Sequence, residues 1–247
     1  MSKTIIDAKG LDFKGLNDFI HEKLEKTDEI ILNNVCGQRY IGAGIKKPVK
    51  ITINGYPGGD LAAFMDGPNI VINGNAQDAI GNTMNSGSII VHGNAGDIVG
   101  YGMRGGKVFI RGNVGYRVGI HMKEYQGMFP VIVAGGEAKD FLGEYMAGGL
   151  LIILGLNSTG LPVRDFVGTG MHAGRIFLRT DQIDPRLLGK EVKAEKLNED
   201  DKKILEKYVT EFCSTFNIDK DKYKILGSPF LKLSPYSLRP YGRLYAY

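Results

Sequence analysis

Cysteine is nearly absent from this chain: Cys36 and Cys213 are the only two in 247 residues. Two isolated thiols build no disulfide framework and cannot supply the thiolates of a zinc site or an iron–sulfur cluster. Tryptophan is missing, and histidine occurs four times. His21, His92, His121 and His172 form no H-x-x-H or H-x-x-x-H pair, so the usual helical metal spacing is absent. No stretch reaches the roughly 20 apolar residues that span a bilayer. Met1-Ser-Lys-Thr-Ile-Ile-Asp7 lacks the apolar centre of a signal peptide. These features lead to the expectation of a cytoplasmic protein with reduced thiols and no membrane partner. The net charge of +4 comes from 31 basic and 27 acidic residues, interleaved along the chain. A nucleic-acid partner would call for a clustered basic face. There is no G-x-S-x-G, and neither cysteine has a histidine nearby in sequence, so the common nucleophile motifs are missing.

Glycine, in contrast, is abundant: 35 residues, about twice the usual share of roughly 7%. Gly55, Gly74, Gly93 and Gly112 are each 19 residues apart, and Gly135 and Gly155 continue the series. Before them lie the apolar runs Ile51-Thr-Ile53, Ile70-Val-Ile72, Ile89-Ile-Val91, Val108-Phe-Ile110, Val131-Ile-Val133 and Leu151-Ile-Ile153, and Ile176-Phe-Leu178 is a seventh run. A second column holds Gly42, Gly81, Gly100, Gly119, Gly143 and Gly168, with Ala62 in the one gap. It is preceded by Ile41, Leu61, Ile80, Val99, Val118, Leu142 and Val167. Three residues after it come Ile45, Met65, Met84, Met103, Met122, Met146 and Met171. The G-x-G-x-x-G at Gly100, Gly102 and Gly105 is therefore one rung of a ladder. A strand-like run, Lys107-Val-Phe-Ile-Arg111, follows it where a dinucleotide loop needs a helix.

A unit of about 19 residues cannot bury its own apolar face and must stack on its neighbours. The pattern predicts an all-β fold, a right-handed parallel β-helix of about seven turns with short flanking helices. Each turn would rise about 4.8 Å. A leucine-rich repeat would show L-x-x-L-x-L, and a propeller would repeat about every 40 residues. The methionine column reads as an inward stack of adaptable core side chains and not as a soft-metal path. Asn54, Asn73, His92 and Arg111 close successive strands; stacked amides explain the first two, while His92 beside Arg111 leaves an anion site open. Asp60, Asp78, Asp97, Asp140 and Asp165 recur too often for a catalytic acid and read as corner acceptors.

The ends differ from the repeats and suggest three regions: residues 1–32 an N-terminal helical cap, 33–180 the β-helix, and 181–247 a C-terminal helix and tail. Leu16, Phe19, Ile20 and Leu24 have helical spacing and would cover the first coil. Asn198-Glu-Asp-Asp201 reads as an acidic helix start, followed by Ile204, Leu205, Tyr208, Val209, Phe212 and Phe216 on one face. Gly227–Tyr247, rich in proline and aromatics, reads as an extended arm.

Taken together, Gly37-Gln-Arg-Tyr-Ile-Gly-Ala-Gly44, the unit from Gly93 to Gly106, Gly143-Glu-Tyr-Met-Ala-Gly-Gly149, Ile6-Asp-Ala8 and Phe230-Leu-Lys-Leu-Ser-Pro235 carry a family likeness over nearly the whole chain. The chain resembles the glycine-rich C-terminal β-helix domain of the glutamate synthase large subunit, in its stand-alone form. That resemblance implies a non-catalytic scaffold that holds a glutaminase-type subunit and an FMN-binding synthase subunit together, so that ammonia reaches 2-oxoglutarate. FMN and the iron–sulfur cluster would reside in the partners. It implies no catalytic, cofactor-binding or metal-binding residue in this chain, and it is compatible with a homo-oligomer when the chain is isolated. The central repeats also resemble the glycine-repeat subunit of formylmethanofuran dehydrogenase, the alternative reading, while the N-terminal helix and the tail resemble glutamate synthase or a related amidotransferase such as N-methylglutamate synthase. A free-standing polysaccharide enzyme would need charged residues clustered over adjacent turns.

Overall fold

Period-two alternation within each apolar run sends its first and third residues to the same side of a strand. In a computed structural model, which describes residues 2–219 and 224–236, those residues form the interior. Ile51 and Ile53, Ile70 and Ile72, Ile89 and Val91, Val108 and Ile110, Leu151 and Ile153, and Ile176 and Leu178 are all fully buried. The strands are β1 (Lys3–Asp7), β2 (Glu29–Cys36), β3 (Lys50–Tyr56), β4 (Asp66–Asn73), β5 (Ser86–Val91), β6 (Lys107–Ile110), β7 (Val131–Ala134), β8 (Ala147–Ile153) and β9 (Ala173–Leu178). Each pairs in parallel with the one before, so the sheet grows in chain order. The result is a mostly-β parallel solenoid. The solenoid has about six turns, slightly fewer than the seven expected.

One register differs from the sequence reading. Val108 pairs with Ile132 and Ile110 with Ala134, so Ile132 and Ala134 point inward while Val131 and Val133 point outward. All four are buried, and a strand apolar on both faces gives alternation nothing to choose between. Gly136 then takes the place of Gly112, its N–H donating to the Gly112 carbonyl at 2.9 Å. Gly135 occupies the Arg111 position.

The corner after each strand bends through three left-handed residues at alternate positions. The first column, Tyr40, Asp60, Ala79, Ile98, Arg117, Phe141 and Phe166, contains no glycine, although φ runs from 50° at Ile98 to 63° at Tyr40. The second is the glycine column with Ala62, and the third is Gly44, Phe64, Thr83, Gly102, His121, Tyr145 and Gly170. Space, more than φ, decides where glycine is used. A Cβ at Gly100 would lie 2.4 Å from Ile132 Cδ1, and one at Gly119 would lie 2.9 Å from both Leu151 methyls. At the other two columns, side chains are accepted at a strain of about 1–2 kcal/mol each.

Polar ladders tie the turns together. Asp78 Oδ1 accepts from the Asp97 N–H at 2.8 Å, and Asp97 Oδ1 accepts from the Tyr116 N–H at 2.9 Å. Asp140 likewise accepts from Asp165 at 3.3 Å. Asp60 stands outside this register: it sits in the first left-handed column and pairs with Arg39. Amides stack as well, with Asn73 Nδ2 donating to Asn54 Oδ1 at 2.7 Å and Asn54 Nδ2 to Asn33 Oδ1 at 2.8 Å. A further ladder went unread in the sequence. Asn75, Asn94 and Asn113 each accept, through Oδ1, a backbone N–H of the next turn at 2.8 Å. The methionine column is buried from Met65 to Met171, as its spacing predicts.

Helix α1 (Phe13–Leu24) is N-capped by Asp12 and buries Leu16, Ile20 and Leu24 against the first turn's core, while Phe19 faces solvent. Helix α2 (Glu199–Phe216) opens on a capping box formed by Asn198 and Asp201. It lies along the outside of the sheet: Leu205, Val209, Phe212 and Phe216 pack with Phe109, Val133, Ile152 and Phe177. Burial works against ionisation of Asp201, yet Lys232, the Asn198 N–H and Arg175 together hold its carboxyl below the ordinary value. The described part of the tail is extended and lies on the body, as its composition suggested, and it adds a regular pairing that the composition did not show. Strand β11 (Leu231–Pro235) inserts antiparallel between β9 and β10 (Val192–Lys196), and residues 237–247 lie outside the described part.

The spatial account of glycine yields a paired prediction. Gly119→Val forces a β-branched side chain into the core and should cost about 3–5 kcal/mol. Gly44→Ala, with φ +67° but nothing within 4 Å, should cost only about 1 kcal/mol. Thermal or denaturant unfolding of both variants measures this. Equal losses would contradict the account.

Candidate functional site

Two outer surfaces of the solenoid differ in what covers them. The strand face from Phe109 to Phe177 is closed by α2, and the covering is specific. Phe109 and Phe212 meet edge-on with centroids 5.8 Å apart, and Lys107 pairs with Glu211 of the helix. Gly135 belongs to this contact, since a Cβ there would approach Phe212 Cζ to 3.0 Å. The corner face instead carries exposed rings on five of its seven corners: Tyr40, Phe64, Tyr101, Tyr145 and Phe166. Some are held in pairs, with Phe141 stacked on Phe166 at 4.8 Å and the Arg117 guanidinium 4.6 Å from the Phe141 centroid. Arg117 in turn pairs with Glu144, which is buried.

The residues singled out from sequence fall into place unevenly. Gly100 and Gly102 are corner residues with positive φ, and a strand follows Gly105, so the G-x-G-x-x-G is part of the coil. His92 does not form a ready anion pocket with Arg111. Its ring packs edge-on against Phe216 at 5.3 Å. That partial burial, and secondly the Arg111 charge, push its pKa below the ordinary 6.5, which favours the neutral ring. Cys36 is exposed and Cys213 is buried in the apolar face of α2. Among the described residues no three His, Cys, Asp or Glu side chains gather in a way that could hold a metal ion. No helix there is long and apolar enough to cross a membrane.

His121 and His172, 51 positions apart, do come together. With Tyr101, Arg104, Lys123 and Tyr145 they line a groove of about 400 Å³ on the corner face. His121 lies parallel to the Tyr145 ring at 5.3 Å and edge-on to Tyr101 at 5.9 Å. The sequence does contain the signal for part of this groove, though not for His121. The residue after each methionine of the column occupies one register, and on four successive turns it reads Arg104, Lys123, Ala147 and His172. Larger hollows of about 600 and 840 Å³ flank β10 and β11, and their linings mix acidic and basic side chains.

The His92 environment makes a testable statement. Its histidine NMR titration should show a pKa below 6.5, and Arg111→Gln should raise that value only part of the way back, because burial is the larger cause. The sign fixes the linkage. A depressed folded pKa contributes stability that is present above the unfolded value and lost as pH falls through the folded one. Full recovery to 6.5 in the variant would show that burial plays no part.

Comparison with known proteins agrees with this construction. Residues 20–235 match the model of the family described as GXGXG motif. A protein of Methanocaldococcus jannaschii named "Uncharacterized protein MJ1350" is 48% identical over 254 residues, covering 99% of this chain and 97% of its own length. Among solved structures, a chain of the formyltransferase/hydrolase complex FhcABCD from Methylorubrum extorquens, determined with methylofuran, superposes with a TM-score of 0.60 at 18% identity. The match covers 85% of this chain and 88% of that one, and at such identity it speaks for the fold. With the family model spanning most of the glycine ladder and both flanking helices' packing partners, the chain belongs to the GXGXG motif family.

Proposed function

We propose that this chain is a structural subunit of a multi-subunit enzyme, presenting a rigid surface on which catalytic partners are held. The observation that carries this reading is the pairing of a side-chain-filled interior with an exposed aromatic corner face. The core columns from Ile41 to Val167 and from Met65 to Met171 are buried, while Tyr40, Phe64, Tyr101, Tyr145 and Phe166 remain open along one corner. Exposed aromatic side chains supply large contact area at small entropic cost and are enriched in protein interfaces. Rigidity serves the same end, since a preorganised surface loses less entropy on association.

Two partner sets have separate support. The similarity to a chain of a formyltransferase/hydrolase complex favours partners of that type, with this chain in a role like that of the glycine-repeat subunit of formylmethanofuran dehydrogenase. The second reading, a glutamate synthase-type assembly, is favoured by the GXGXG motif family and by the resemblance of the two ends, Ile6-Asp-Ala8 and Phe230-Leu-Lys-Leu-Ser-Pro235. In that assembly a glutaminase-type subunit and an FMN-binding synthase subunit would be the neighbours. Ammonia transfer, FMN and the iron–sulfur cluster would then belong to them.

Affinity purification of the tagged chain from its own cells, followed by mass spectrometry, tests both. Formyltransferase and hydrolase chains in stoichiometric amounts support the first partner set, and glutaminase-type and FMN-binding chains the second. A chain recovered alone at physiological salt would overturn the subunit reading.

A further inference from the structure

We propose that the corner groove lined by Arg104, Lys123, His121 and His172 is an oxyanion-binding site, built for a phosphate or carboxylate group of a small molecule. Its first feature is charge without compensation. Arg104 and Lys123 stand in one register on adjacent turns and both approach the Tyr125 ring, at 5.4 and 5.7 Å from its centroid. Neither pairs with a carboxylate among the described residues, whereas Arg39, Arg117 and Arg164 elsewhere on the solenoid pair with Asp60, Glu144 and Glu137. No aspartate or glutamate lines the groove. Glu124, the acid closest in sequence to Lys123, has its Oε1 turned to the Gly149 N–H at 3.0 Å.

A second feature is an unmet donor. Arg104 Nε is closed off from the surface and has no hydrogen-bond partner, which leaves the guanidinium short of one bond, and the groove meets the rest of this half-buried side chain. An oxyanion in the groove is the species whose charge and acceptor atoms match this set: the Arg104 guanidinium, the Lys123 ammonium, the His121 imidazole and the tyrosines Tyr101 and Tyr145. The third feature is an opening. Within the third left-handed column, Gly102 stands between Thr83 and His121, and its missing side chain leaves the floor of the groove open. The solenoid holds these groups at fixed spacing, because Arg104, Lys123 and His172 each donate a backbone N–H to a methionine carbonyl of the preceding turn, at 2.8, 3.0 and 2.8 Å. This inference stands apart from the choice of partner subunits.

The test is a titration of the full chain with inorganic phosphate and, separately, with succinate at low ionic strength, following the histidine ring resonances by NMR. Saturable shifts at His121 and His172, with His21 and His92 unmoved, are the expected result. Saturation by phosphate alone identifies a phosphate site, and by succinate alone a carboxylate site. In Arg104→Gln/Lys123→Gln the affinity should fall at least ten-fold while the melting temperature stays near that of the parent. No saturable shift with either anion, equal shifts at all four histidines, or unchanged affinity in the folded double variant would overturn the proposal. The first two outcomes are read on the unmodified chain, so they hold even if the variant fails to fold.

Discussion

The rest of the structure depends on the narrowness of the coil. An interior of one strand residue facing one corner residue leaves little room for a Cβ at the inward left-handed position, and Gly42, Gly81, Gly100, Gly119, Gly143 and Gly168 follow from that, with Ala62 as the one side chain accommodated there. With the corner so constrained, every turn bends at the same place, strands come into register, and the carbonyl and N–H groups of one turn meet those of the next. The Gly100 N–H donates to Ile80 at 2.8 Å while the Ile98 N–H donates to Tyr116 at 2.7 Å, so a single corner is knitted in both directions. Methionine suits the facing column because an unbranched side chain fills small irregularities between turns of unequal length, such as the 24-residue step from Val108 to Ile132.

A filled core of this kind assigns different work to the outer surfaces. Outward strand residues change from Thr52 and Val71 to Phe109, Val133, Ile152 and Phe177 along the stack, and α2 covers the apolar end of that series. The helix is fastened at its start by Asp201 to Arg175 and Lys232, and thus to β9 and β11. At the corners, outward left-handed positions tolerate side chains at modest strain and display them at regular intervals. Tyr40, Phe64, His121, Tyr145 and Phe166 are displayed in this way, while Arg104, Lys123 and His172 stand in the register that follows the methionine column.

Much of this was legible in the sequence, because a repeated unit writes each spatial column as a spaced list of residues. The glycine, apolar and methionine columns, the amide stack at Asn54 and Asn73, and the capped helix from Asn198 all follow from spacing. Spacing is ambiguous at other positions. Val131–Ala134 is apolar throughout, so alternation could not choose its inward face, and Asp60 lies one position off the aspartate ladder. Strand β11 depends on antiparallel pairing with residues more than 50 positions away, which no local pattern encodes. The Asn75, Asn94 and Asn113 ladder and the Arg104, Lys123 and His172 column were both written in register.

If coil stacking is the organising constraint, the central turns cannot open one at a time without breaking ladders on both sides. Native-state hydrogen exchange on the strand amides of β4 to β8 measures this directly. The account predicts that amides of Ile72, Val91, Ile110 and Ile153 exchange together, with a common protection that falls only on global unfolding. Separate, shallow protection of individual central turns would contradict it, since each coil would then be stable without its neighbours.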